Sequence, residues 1–171
     1  MSVFLGTHQN RLDAKGRVSI PAGFRTILRA QAANTQIDPL AGDTLLVLRQ
    51  SPKHPCIEAW PTPAFRALAP NLDNLDLFSD DQEDMALSLY GDAWPLDPDK
   101  EGRITLPEAL AAHASLSDSV TFMGLGRHFQ IWEPVAAAQR IVEARARARG
   151  VTLPAHAGLA AQPAKAGGSA V

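Results

Sequence analysis

Cysteine occurs once in the 171 residues, at position 56, and aromatic side chains make up only 6% of the chain. A single cysteine excludes an internal disulfide framework, and with only His54 nearby as a candidate ligand it supports no structural zinc site. Cys56 is expected to be a small buried residue of a strand running to Trp60. No run of about 18 apolar residues occurs, and the start Met-Ser-Val-Phe-Leu-Gly-Thr-His has neither the basic opening nor the apolar stretch of a secretory signal, so a cytoplasmic protein with no membrane partner is expected. Catalytic signatures are missing as well: the chain has no Gly-x-Ser-x-Gly elbow, no Walker loop and no His-Glu-x-x-His, and its five histidines share no ligand spacing. The reading is of a protein that is not an enzyme and needs no cofactor.

What the chain does have, it has twice. Asp13-Ala-Lys15-Gly16-Arg17-Val18-Ser19-Ile20-Pro21 returns 86 residues later as Asp99-Lys100-Glu101-Gly102-Arg103-Ile104-Thr105-Leu106-Pro107. The correspondence continues into the next segment, where Phe24 to Leu28 falls opposite Leu110 to Ala114. Two copies are too few for a solenoid, so the repeat predicts a pseudo-dimer folded from one chain. The boundaries read as a first half over 1–70, an acidic linker over 71–84, a second half with a C-terminal helix over 85–150, and a disordered tail over 151–171, where large apolar side chains are scarce.

Each half reads as β-β-α-β-β-α. In the first, Phe4 to Arg11 is a strand, Leu12 to Gly16 a tight turn, and Arg17 to Ile20 a second strand that places Val18 and Ile20 on one face and Arg17 and Ser19 on the other. Pro21 and Pro107 suit the first helical position, and Phe24, Ile27 and Leu28 then line one helical face. In the second half, strands are expected over Leu87 to Trp94, Arg103 to Leu106, Ser119 to Leu125 and His128 to Trp132. A helix is expected from Val135 to Arg149, ended by Gly150, whose arginines form a solvated basic face or flank DNA or a neighbouring subunit. Trp60, Trp94 and Trp132 lie on apolar strands or at their ends, which predicts core positions rather than a base-stacking set.

The net charge of −2 conceals a separation. Residues 1–30 carry Arg11, Lys15, Arg17, Arg25 and Arg29 against Asp13 alone, whereas residues 71–101 hold a dense series of acids against Lys100. Such a chain can present a positive face to a polyanion while its total stays near zero. Within the acidic zone, Asp97, Asp99, Glu101 and Glu108 fall on calcium-loop positions, but Pro95, Pro98 and Pro107 deny the entering helix that an EF-hand requires, so calcium is rejected.

The repeated arginine has two readings. Asp13 with Arg17, and Asp99 with Arg103, could clip each turn to its strand, although an exposed pair contributes only about 0–1 kcal/mol. Alternatively the turn presents Lys15 and Arg17 to phosphates or guanine edges, with Arg11 and Arg25 extending the patch. The doubled motif, with the Trp-Pro-like ends of both halves at Trp60-Pro61 and Trp132-Glu133-Pro134, resembles the MraZ family of bacterial transcriptional regulators over roughly residues 3–145. The resemblance implies an α+β, mainly β fold of the SpoVT/AbrB type, in which tandem swapped-hairpin half-domains form one pseudo-two-fold β-barrel with flanking helices. It also implies a ring-shaped homo-oligomer, nucleoid-associated, that binds double-stranded DNA at promoter direct repeats before the division and cell-wall gene cluster, most simply as a repressor. The motif residues carry over as Asp13, Lys15 and Arg17 in the first copy and Asp99 and Arg103 in the second. Glu101 stands where the first copy has Lys15, so the first loop is expected to carry most of the contact. The competing reading is a ring-forming interaction scaffold without specific DNA binding.

Overall fold

The structure, a computed structural model, describes residues 3–154. Its regular elements are β1 (Thr7–Arg11), β2 (Arg17–Ser19), α1 (Ala22–Asn34), β3 (Leu46–Gln50), β4 (Ile57–Pro61) and α2 (Thr62–Arg66) in the first half. The second half supplies α3 (Asp80–Ala86), β5 (Trp94–Leu96), β6 (Arg103–Thr105), α4 (Glu108–His113), β7 (Ser119–Gly124), β8 (Phe129–Trp132) and α5 (Pro134–Ala148). All strand pairs are antiparallel, giving a mixed α+β protein with a six-stranded and a two-stranded sheet. The disordered-tail expectation falls mostly outside the described residues; 151–154 are exposed and carry no regular structure.

The six-stranded sheet runs β1-β7-β8-β4-β3-β5. That order is palindromic in the duplication, since β1, β7 and β8 of one flank correspond to β5, β3 and β4 of the other. Each half lends its first strand to its neighbour: β1 pairs with β7 from Thr7↔Met123 to Arg11↔Ser119, and β5 pairs with β3 from Leu46↔Leu96 to Leu48↔Trp94. The ribbon β2–β6 joins the two copies of the motif directly, with Val18 opposite Ile104.

Period-2 alternation explains the core. Val18, Ile20, Ile104 and Leu106 are all at most 3% exposed and face the same cluster as Phe24 and Leu28 of α1 and Leu110 of α4. Residues matched by the repeat thus occupy matched core positions. Phe24 packs its ring 5.2 Å from Phe4 and 5.0 Å from Phe129, linking α1 to residues from both halves of the chain on the β1-β7-β8 flank of the sheet. A second cluster gathers Val47, Phe65, Leu72 and Leu89, and a third seats Cys56, Met123 and Trp132 under Ala137 of α5. Burial pushes the Cys56 thiol up to about 12, as befits an inert core residue.

Three local expectations give way to other geometry. Pro21 and Pro107 stand one place earlier than the first helical position, as cap residues with extended ψ of 137°, and their carbonyls accept from Arg25 N and Ala111 N at 3.0 Å. Leu87 to Trp94 is not a strand. Ser79 caps a helix there, its Oγ accepting from Gln82 N at 3.1 Å, and Asp80, Asp81 and Glu83 fill the first turn, so α3 extends into a π-helical turn over Leu87–Gly91 before β5 begins at Trp94. Trp94 is 43% exposed on this edge strand, whereas Trp132 is buried and Trp60 packs partly buried against the second cluster.

Candidate nucleic-acid interface

The two motif loops fold in the same way because one carboxylate organises each of them. Asp13 Oδ1 accepts from Lys15 N at 2.9 Å and Arg17 N at 2.8 Å, while Oδ2 accepts from Arg17 Nε at 2.7 Å. Asp99 Oδ1 accepts from Glu101 N and Arg103 N at 2.9 Å each, and Oδ2 accepts from Arg103 Nε at 3.0 Å. Gly16 and Gly102 complete the turns at φ of 77° and 78°, a left-handed conformation that glycine adopts without a Cβ penalty. Donation from the backbone N–H of the arginine four residues on is the main reason both carboxyls lie below the ordinary aspartate range, with the arginine side chains adding to it.

The clip and the presentation readings therefore describe one device. Binding Nε to the carboxylate fixes the plane of the guanidinium and leaves its two terminal amino groups available to another acceptor. Antiparallel register sets Arg17 opposite Thr105 and Ser19 opposite Arg103, so both arginines lie on the outer face of the β2–β6 ribbon, at its two ends.

The loops then diverge. Arg17 is about one-third exposed, and its terminal amino groups make no hydrogen bond among the described residues; the Lys15 side chain is exposed and likewise unpaired. Arg103 instead pairs through Nη2 with Glu101, in addition to Asp99. The Asp99 hydrogen bond, with the charges of Asp99, Glu101 and Asp13 behind it, strengthens Arg103 in its protonated form. The first loop, Asp13 to Arg17, carries two cations and one anion; the second, Asp99 to Arg103, carries two cations, Lys100 and Arg103, and two anions, one of which closes on the arginine.

Arg11 and Arg25 take different places. Arg11 is exposed at the end of β1, in a shallow cleft beside the first loop that Asp13 and Asp118 also line. Arg25 reaches the second loop, not the first: its Nη1 donates to Glu101 O at 3.2 Å, and the side chain covers Gly102 so closely that an added Cβ would meet Nη1 at 2.0 Å. Sequence reasoning placed Arg25 with Arg17 because they are neighbours in the chain, whereas α1 crosses to the other end of the ribbon. It also missed Asn10, whose amide donates to Ser19 O at 2.6 Å and ties β1 to the ribbon; no local spacing announces that contact.

The fold and site define a duplicated α+β protein whose halves exchange strands and each carry a carboxylate-clamped arginine loop. The family model for the MraZ protein matches residues 3–87 and 89–146. Among curated relatives, the transcriptional regulator MraZ of Gluconacetobacter diazotrophicus is 66% identical over 91% of this chain and 94% of its own length. That of Gluconobacter oxydans is 62% identical over 87% of each, and that of Azorhizobium caulinodans 38% identical over 87% and 88%. The chain belongs to the MraZ family, a family of transcriptional regulators and not of enzymes.

Proposed function

We propose that the protein regulates transcription by binding double-stranded promoter DNA through the loop of its first motif copy. The observation that carries this reading is the open guanidinium of Arg17 beside the unpaired Lys15, against the Arg103 guanidinium closed by Glu101. A guanidinium already held in place by a carboxylate loses little freedom when it engages a base edge or a phosphate. Arg11, Asp13, Lys15 and Arg17 form the contact region in this reading; Asp99, Arg103 and Arg25 shape the second loop and contribute less.

One such loop is a small, weak module. The reading therefore includes assembly of several subunits into a ring, so that their first loops engage successive direct repeats and gain affinity through high effective concentration. The exchange of β1 and β5 between the halves supports closure of the sheets into a swapped-hairpin barrel of the SpoVT/AbrB type. Repression of the division and cell-wall gene cluster, from a position on the nucleoid in the cytoplasm, is the regulatory outcome this reading carries. Exposed Leu77 and Phe78 favour subunit contact. A scaffold without DNA, however, leaves the open Lys15 and Arg17 pair without a use.

The test is titration of the protein against its own upstream promoter fragment and a scrambled fragment at two salt concentrations. Preference for the promoter fragment, with affinity falling as salt rises, supports the reading. Equal, salt-insensitive binding to both fragments refutes it in favour of the scaffold.

A further inference from the structure

Away from the ribbon, the β3–β4 turn, the β7–β8 hairpin and α5 line an open-sided cavity of about 470 Å3. That size falls within the ordinary range for a small-molecule site. Arg140 of α5 lines the cavity, and its Nη1 is buried without a hydrogen-bond partner. An unanswered guanidinium N–H shielded from water is costly. Because Nη1 is out of reach of water from the cavity, an anion there would be met by the other guanidinium nitrogens, which also have no hydrogen-bond partner among the described residues, and by Nη1 after a small turn of the group. Gln130 lines the same wall; its Oε1 accepts from Trp132 Nε1 at 2.8 Å, which orients the amide so that its NH2 group remains for another acceptor. The Lys53 side chain stands exposed at the rim and has no partner among the described residues.

The remaining polar groups leave the cavity positive. Glu58 is answered from outside, by Arg49 Nε at 3.7 Å and Trp60 Nε1 at 3.2 Å. His54 is held below its ordinary pKa first by burial and then by the positive charges of Arg140 and Lys53, with Glu143 opposing them. His128 lies flat on Trp60 at 4.0 Å and is lowered by burial.

We propose that this cavity binds a small oxyanion, the carboxylate or phosphate group of a small molecule, through Arg140, Gln130 and Lys53. Charge-assisted hydrogen bonds from a guanidinium and an ammonium suit either group. Because the walls come from a first-half turn, a second-half hairpin and α5, the ligand would brace α5 against the sheet.

The test is calorimetric titration of the full chain with inorganic phosphate and with citrate, at ionic strength held constant with sodium chloride. Saturable binding is expected for at least one of them, and the stronger binder identifies the chemistry. Arg140→Gln is expected to weaken it about tenfold or more, and Lys53→Ala, at an exposed site that leaves the fold undisturbed, several-fold. Arg17→Ala is expected to leave it unchanged, which separates this site from the DNA loop. Absence of binding to both probes, equal affinity in wild type and both cavity variants, or loss of binding in Arg17→Ala would overturn the proposal.

Discussion

At the residue scale, the two loops differ by one decisive side chain. Replacing Glu101 by Lys removes the carboxylate that closes Arg103 and supplies the counterpart of Lys15. Glu101→Lys is therefore expected to strengthen DNA binding and to steepen its salt dependence by about one released counterion per added phosphate contact; an unchanged slope would count against a role for loop charge. The turn glycines make a second comparison. Both need positive φ, so alanine at either costs roughly 1–2 kcal/mol, but at Gly102 it also displaces Arg25 from Glu101 O, whereas at Gly16 the nearest atom is 3.5 Å away. Urea unfolding should find Gly102→Ala the more destabilising, with the excess vanishing in an Arg25→Ala background. Asp13 and Asp99 titrate below their ordinary values, so the order they confer is fully present above the unfolded aspartate pKa, near 3.8, and is lost as pH falls through their lower folded values. Amide shifts of Lys15, Arg17, Glu101 and Arg103 should therefore move together only below about pH 4; movement near neutrality would show that the carboxylates do not hold the loops. The motif was legible in the sequence because it is local and stated twice. The Arg25 contact was not, because it joins residues 76 positions apart.

At the scale of elements, periodicity identified those whose faces are cleanly divided. Val18 and Ile20 point inward and Ser19 outward, and Phe24 and Leu28 sit one helical turn apart, so β2 and α1 follow from spacing alone. Phe24→Ala is expected to cost about 3–5 kcal/mol by thermal or urea unfolding, since its ring touches Phe4, Phe122 and Phe129 at once. A loss below about 1 kcal/mol would mean the core can close over the gap. Leu87 to Trp94 misled because its apolar residues fit a strand, while Ser79 followed by Gln82 at the third helical position, the signal that a helix had already started, lay within what was read as an acidic linker. The cap outweighs the apolar pattern there, and the helix carries on into the π turn.

At the scale of the whole molecule, duplication predicted two halves, but their exchange of strands is a property of neither half alone. A fragment of residues 1–70 lacks β7 to pair with β1 and β5 to pair with β3. It is expected to unfold or to dimerise, pairing two copies as the full chain pairs its halves; sedimentation and circular dichroism showing a folded monomer would contradict this. The exchange also explains how one short ribbon carries both arginine loops on one face while the loops answer to different charges. The functional account rests on that asymmetry. The most direct measurement is the affinity of the full chain for its upstream promoter fragment, with Arg17→Ala and Arg103→Ala compared at one salt concentration. The account predicts a loss of at least about tenfold per contacting loop for Arg17→Ala, multiplied where several subunits engage the DNA, and a clearly smaller loss for Arg103→Ala. Equal losses, or wild-type affinity in Arg17→Ala, would contradict it.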